Sequence, residues 1–363
     1  MSNYLLYGSE MSYFSGKARA YLRWKGIDFE ERNSDERFYN EVCIPRIGYP
    51  MIPLMITPDN QTIQDTTLIM DYFEQMEDVG PSLTAYGPVQ QLVARLIELY
   101  ADEWLLIPAM HYRWEYDAEA TVTEFGLNMK PEMSAEEQQK AGAELASTFS
   151  GSGPILGIHE HTKKAVEQSW RQLLGELDTH FRHYPYLLGN RPCTGDFALV
   201  GALYAHLYRD ASAGALMRQK GIAVAQYVER MMFPRGGLIG DYLPEDTIPE
   251  TLMPVLSRMM REQMPCIDIT VRRLATWKLE NPDVDIPRMI GEHKFWLEGL
   301  VATRGIFPYA TWLFGRAREL YDTMDDHARQ DADYLLERCG GELFSKAPIN
   351  APVKLQDFQL QWA

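Results

Sequence analysis

Apolar and polar positions change their rhythm once along this chain, near residue 80. Before that point short apolar runs alternate with helical ones. Tyr4-Leu5-Leu6-Tyr7, closed by Gly8, predicts a short buried strand. Ser15 to Lys25 predicts a helix that stops at Gly26. Ile27-Asp28-Phe29-Glu30 alternates as a strand does, and residues 53–56 and 62–63 predict a hairpin around Pro58-Asp59-Asn60. Thr66 to Gln75 predicts another helix. Strand, helix, strand, hairpin and helix in that order predict a small α/β domain over about residues 1–78.

Beyond residue 88 the pattern is helical. Val89, Leu92, Val93, Leu96, Ile97, Tyr100 and Trp104 form one stripe, which Pro108 should kink or end. Ser134 and Glu137 read as a capping box, and residues 150–154 as a flexible break. Val166, Trp170, Leu173, Leu174, Leu177 and Phe181 form a second stripe. Phe197 to Leu207 is apolar nearly all round, as a buried central helix is. After Pro234 comes a loop rich in Pro and Gly, then helices expected near 255–278, 287–304 and 309–338. The expected architecture is an α/β domain followed by a larger all-α domain, 88–363.

The 363 residues carry 35 Lys and Arg against 51 Asp and Glu, a formal charge of −16. That balance argues against nucleic acid or an anionic membrane as partner, but not against a small anionic ligand. The four cysteines, Cys43, Cys193, Cys266 and Cys339, are scattered, so neither a disulfide framework nor a zinc knuckle is expected. No basic, apolar leader and no long apolar span is seen, and the expectation is a soluble cytoplasmic protein.

Candidate chemistry gathers where the first strand hands over to the first helix, at Ser12-Tyr13-Phe14-Ser15-Gly16-Lys17-Ala18-Arg19. A helix start offers unpaired amides and a partial positive charge, which stabilise a thiolate. The segment resembles the C-P-F-C-S-K-V-R motif of glutathione-linked thioredoxin folds, with Ser12 and Ser15 in place of the attacking and resolving cysteines. Gly48-Tyr49-Pro50-Met51-Ile52-Pro53-Leu54 is similar to the G-x-V-P-x-L stretch of glutathione transferases, whose proline peptide is cis. Gln64-Asp65-Thr66-Thr67 resembles the family's acid and hydroxyl that hold the γ-glutamyl end of glutathione. Residues 188–199 resemble the family's helix-capping box, with Cys193 standing where Ser or Thr is usual. A thiol caps poorly, so Thr194 offers a shifted start.

The resemblance implies a thioredoxin-like domain and a glutathione transferase. Glutathione is then the co-substrate, held by Ser12, Phe14, Ile52, Pro53, Asp65 and Thr66, with Ser12 activating its thiol. It covers residues 4–76 well and about 88–233 loosely, and residues 235–363 extend past the family's usual end. The electrophile is a small molecule, no metal is implied, and a homodimer is expected through apolar residues including Tyr72, Phe73, Met76, Leu92, Leu96 and Tyr100. The alternative is a non-catalytic glutathione-fold protein used in binding or assembly. Tyr7 and Tyr13 offer alternative hydroxyls for the sulfur and Arg46 a partner for a glutathione carboxylate. The plainer readings are Ser12 and Asp65-Thr66 as ordinary helix starts, Tyr7 as core, Tyr13 as an exposed loop aromatic, Arg46 as a solvated surface arginine and Cys43 as an unreactive small residue. His159 and His161 lack the i, i+4 spacing of a helical zinc pair.

Overall fold

A computed structural model describes residues 4–76, 79–83, 87–234 and 240–363. The expected domain end at residue 78 and the expected start of the extension at 235 lie outside the described residues.

The N-terminal domain holds strands β1 (Tyr4–Gly8), β2 (Phe29–Asn33), β3 (Leu54–Ile56) and β4 (Thr62–Gln64) in one sheet of order β2-β1-β3-β4. β1 and β2 run parallel, and β3 is antiparallel to both β1 and β4. Helix α1 (Tyr13–Lys25) begins two residues earlier than its apolar spacing predicts, because Ser12 caps it, and Gly26 ends it in the left-handed conformation. Helix α2 (Thr66–Glu74) follows β4 directly. Short helical turns over residues 36–47, which carry no clear period, fill the gap between β2 and β3.

The second part is mostly helical. Helix α3 (Pro88–Glu103) ends before Pro108, which sits in the first turn of α4 (Leu106–Tyr116), where its missing N–H costs nothing. The helices α5 (Ala118–Met129), α6 (Ala135–Ser150) and α7 (Lys163–His183) follow, α6 with the expected Ser134–Glu137 capping box. Helix α8 (Thr194–Ala202) is buried along its whole length. Its start is not shifted: Cys193 and Asp196 form a capping box, in which Asp196 accepts from the Cys193 N–H at 2.9 Å and also from the Leu187 N–H. α8 packs against α1, and a methyl on Gly201 would lie 3.0 Å from the Tyr13 carbonyl, so this helix meets the candidate loop backbone to backbone.

After α9 (Ala211–Lys220) and α10 (Ile222–Met232) come α11 (Met253–Glu262) and α12 (Met264–Glu280). The helix expected over 287–304 is instead a hairpin, β5 (Glu292–Leu297) and β6 (Leu300–Gly305). Glu298 and Gly299 both take positive φ, which turns the chain back in two residues. Helices α13 (Tyr309–Asp322) and α14 (Asp326–Cys339) replace the single helix expected over 309–338, and a last hairpin, β7 (Val353–Gln356) and β8 (Gln359–Trp362), closes the chain. α13 packs along α3, so Leu92, Leu96 and Tyr100 are buried within one chain rather than left for a partner.

Candidate functional site

Sheet register gathers the three candidate segments. Tyr7, Leu54 and Gln64 lie side by side across β1, β3 and β4. The chain therefore leaves β1 toward Ser12, enters β3 from Ile52-Pro53, and leaves β4 into Asp65-Thr66, all at one end of the sheet.

Ser12 is half-buried, and its Oγ accepts from the Ser15 N–H at 3.1 Å. Among the described residues its hydroxyl proton has no acceptor. Ser15 is turned inward, fully buried, accepting from the Ser9 N–H at 3.3 Å. The two serines thus divide, one at the surface of the cleft and one in the core. Arg113 on α4, which sequence reading missed, fixes the loop: it donates to the Met11 carbonyl at 2.9 Å while Asp210 holds it at 2.7 Å. Phe14 is half-buried against Tyr13.

The Ile52–Pro53 peptide is cis, as the resemblance implies. The loop before it is pinned by Cys43, whose buried Sγ lies 3.3 Å from the carbonyl oxygens of both Tyr49 and Met51. No hydrogen bond engages the Ile52 main chain among the described residues. Asp65 caps α2 at φ 90°, its Oδ1 accepting from the Thr67 N–H at 2.8 Å. Thr66 beside it is buried. Burial pushes the Asp65 carboxyl above its ordinary range, opposed by the Tyr309 hydroxyl and Lys17.

Beneath the site lies a buried ion cluster. Lys17 Nζ donates to Asp102 at 2.6 Å, Glu98 at 3.0 Å and Thr67 at 3.2 Å. It ties α1, α2 and α3 together. One lysine cannot fully serve two carboxylates in a dry interior: burial and Glu98 push Asp102 up to about 7, while Lys17 is held charged by both acids against the cost of its own burial.

Several candidates take other roles. Tyr7 stacks on Phe38 with ring centroids 4.5 Å apart, in a small apolar cluster. The buried Tyr13 hydroxyl donates to the Ala101 carbonyl, so it is committed to packing the two domains. Arg46 binds Asn60 Oδ1 at 2.6 Å and Thr62 at 3.0 Å, bracing the β3–β4 turn. His159 and His161 each contact a carbonyl of β6, at Thr303 and Val301.

The C-terminal segment reaches the same end of the sheet. Tyr309 donates to Asp65 Oδ2 at 2.5 Å, Arg316 to Asp71 at 2.8 Å, and the Tyr49 hydroxyl donates to the Phe358 carbonyl at 2.6 Å. No local pattern announces these contacts, because the Tyr309 and Phe358 partners are 244 and 309 residues away.

Residues 6–81 match the family model described as Glutathione S-transferase, N-terminal domain. The match covers this domain alone: residues 6–81 are similar to a glutathione S-transferase N-terminal domain, and they are joined to a mostly helical remainder. A search of curated proteins finds no match. Among solved structures, the beta-etherase LigF from Sphingobium sp. strain SYK-6 aligns at 17% identity over 65% of this chain and 97% of that one, with a TM-score of 0.49. A Tau class glutathione S-transferase from mango, Mangifera indica, aligns at 18% identity over 69% and 94%, with a TM-score of 0.42. Rice GST1 in complex with glutathione aligns at 17% identity over 68% and 93%, with a TM-score of 0.40. The likeness to the family model is confined to residues 6–81.

Proposed function

We propose that the chain binds glutathione at this end of the sheet and conjugates it, through its sulfur, to a small apolar electrophile. The observation that carries the reading is the Ser12 hydroxyl: half-buried, at the amide-rich start of α1, its proton without an acceptor among the described residues. A free thiol, with an ordinary pKa of about 8.5, is mostly protonated at neutral pH. In this reading the Ser12 O–H and the first amides of α1 stabilise the thiolate, and the thiol proton passes to water. The sulfur attacks the electrophilic carbon, forming a C–S bond as the leaving group departs with its electron pair. The Ile52 main chain pairs with the cysteinyl unit beside Pro53 and Phe14, and Asp65 and Thr66 receive the γ-glutamyl end.

With serine at both motif positions, Ser12 and Ser15, no thiol is available for disulfide exchange. The four cysteines are buried and unpaired, which suits a reducing cytoplasm. No helix among the described residues is long and apolar enough to cross a membrane. A homodimer would have to use a face other than the one offered by Leu92, Leu96 and Tyr100, which are covered.

The second reading is a glutathione-fold protein without catalysis. The Tyr309–Asp65 contact favours it, since that hydroxyl stands on the carboxylate meant for the ammonium group. Retention on immobilised glutathione followed by turnover of a broad electrophile separates the two. Retention with turnover supports the transferase; retention without turnover supports the binding protein.

A further inference from the structure

The last hairpin of the chain is attached in an unusual way. Among the described residues its two strands, β7 and β8, pair only with each other, while Val353, Leu355 and Leu360 pack half-buried on the main core. Two strands alone are marginally stable in water. At the base, Trp362 stacks near Trp277 at 6.3 Å and lies under Lys278 Nζ at 4.5 Å. At the tip, the Phe358 carbonyl accepts from Tyr49, and its side chain packs on the apolar cluster that also holds Tyr49, Met51 and Ile52. Asp357 and Phe358 both take left-handed φ, 50° and 64°. A bulky aromatic residue rarely sits there, so the contacts with the loop hold it in place.

We infer that the hairpin is a latch on the tripeptide site, hinged at Trp362 and fastened at Phe358. This rests on the proposed glutathione reading. The fastened tip is tied to Tyr49, on the loop that leads into Ile52-Pro53, and Phe358 packs on the same apolar cluster as Ile52. Binding the tripeptide then requires the tip to lift, and the free energy of unfastening is subtracted from the observed affinity. With the strands held on the core and the base held at Trp362, the tip is the part suited to local opening: among the described residues it has one hydrogen bond to the sheet domain, Tyr49 to Phe358.

The test is calorimetric titration of glutathione into three proteins: the full chain, a chain ending at Ala351, and full-length Tyr49→Phe. The latch predicts affinity at least tenfold higher for the shortened chain and severalfold higher for Tyr49→Phe. In the full chain it also predicts that saturating glutathione speeds tryptic cleavage after the exposed Lys354 severalfold. Should the shortened chain not fold, Tyr49→Phe and the cleavage rate decide alone. Equal or lower affinity in the variants, with unchanged cleavage, overturns the latch and leaves the glutathione reading standing. No binding by any of the proteins overturns both.

Discussion

The Tyr309 hydroxyl donates to the Asp65 carboxylate across 2.5 Å, joining the start of α13 to the cap of α2. Further along α13, Arg316 donates to Asp71 on the same helix α2 at 2.8 Å. The C-terminal segment thus engages the cap acid Asp65 and Asp71 of α2, the first of them at the centre of the proposed site.

Tyr309→Phe should therefore separate two effects. Losing a hydrogen bond to a charged group should cost about 1.5–3 kcal/mol of stability, read from urea unfolding. Freeing Asp65 for an ammonium partner should strengthen glutathione binding severalfold. Unchanged affinity would mean that the phenol and the tripeptide do not compete.

Ser12→Ala should lower turnover by about 10²–10³ while leaving glutathione affinity nearly intact, because the hydroxyl serves the thiolate and most contacts lie elsewhere. Steady-state kinetics beside a binding titration measures the split. Turnover that survives the change would move thiolate stabilisation to the amides of α1. In the companion variant Ser12→Cys, the helix start should lower the thiol pKa, and intact mass should show a glutathione adduct after exposure to the disulfide form.

Much of the site is legible in the sequence because its parts sit where strands meet helices. Ser12, Ile52-Pro53 and Asp65-Thr66 each carry a local signal of two to eight residues. Parallel and antiparallel pairing in the resembled fold then brings them to one end of the sheet. Arg113, Tyr309 and Tyr49 carry no such signal, since their meaning lies in partners far along the chain. The β5–β6 hairpin was readable in principle. Glu298-Gly299 separates two apolar runs as a two-residue turn does, but five apolar residues within 295–301 mimic a buried helix equally well. The β7–β8 turn was not readable, because Asp357-Phe358 lacks the Gly or Asn that a left-handed turn prefers.

The Lys17 cluster gives stability a pH dependence whose sign is fixed. Asp102 binds a proton near pH 7 when folded, against about 3.8 when unfolded. Between those values the folded chain holds a proton that the unfolded chain lacks, so this contribution falls as pH rises, by up to about 1.4 kcal/mol per pH unit. Wild type should lose stability relative to Asp102→Asn between pH 5 and about 7. Chemical unfolding of both across that range checks it, and parallel curves would contradict it. Lys17→Ala, by leaving two buried acids without their cation, should cost about 3–5 kcal/mol.

The central claim is that glutathione sits at the sheet end with its ammonium group at Asp65. Titrating glutathione into wild type and Asp65→Asn in parallel tests it most directly, because the substitution removes the charge and keeps the shape. The account predicts saturable binding of one tripeptide per chain in wild type and affinity at least tenfold lower in the variant, as loss of a charged contact requires. Equal affinities, or no binding to wild type, would contradict it.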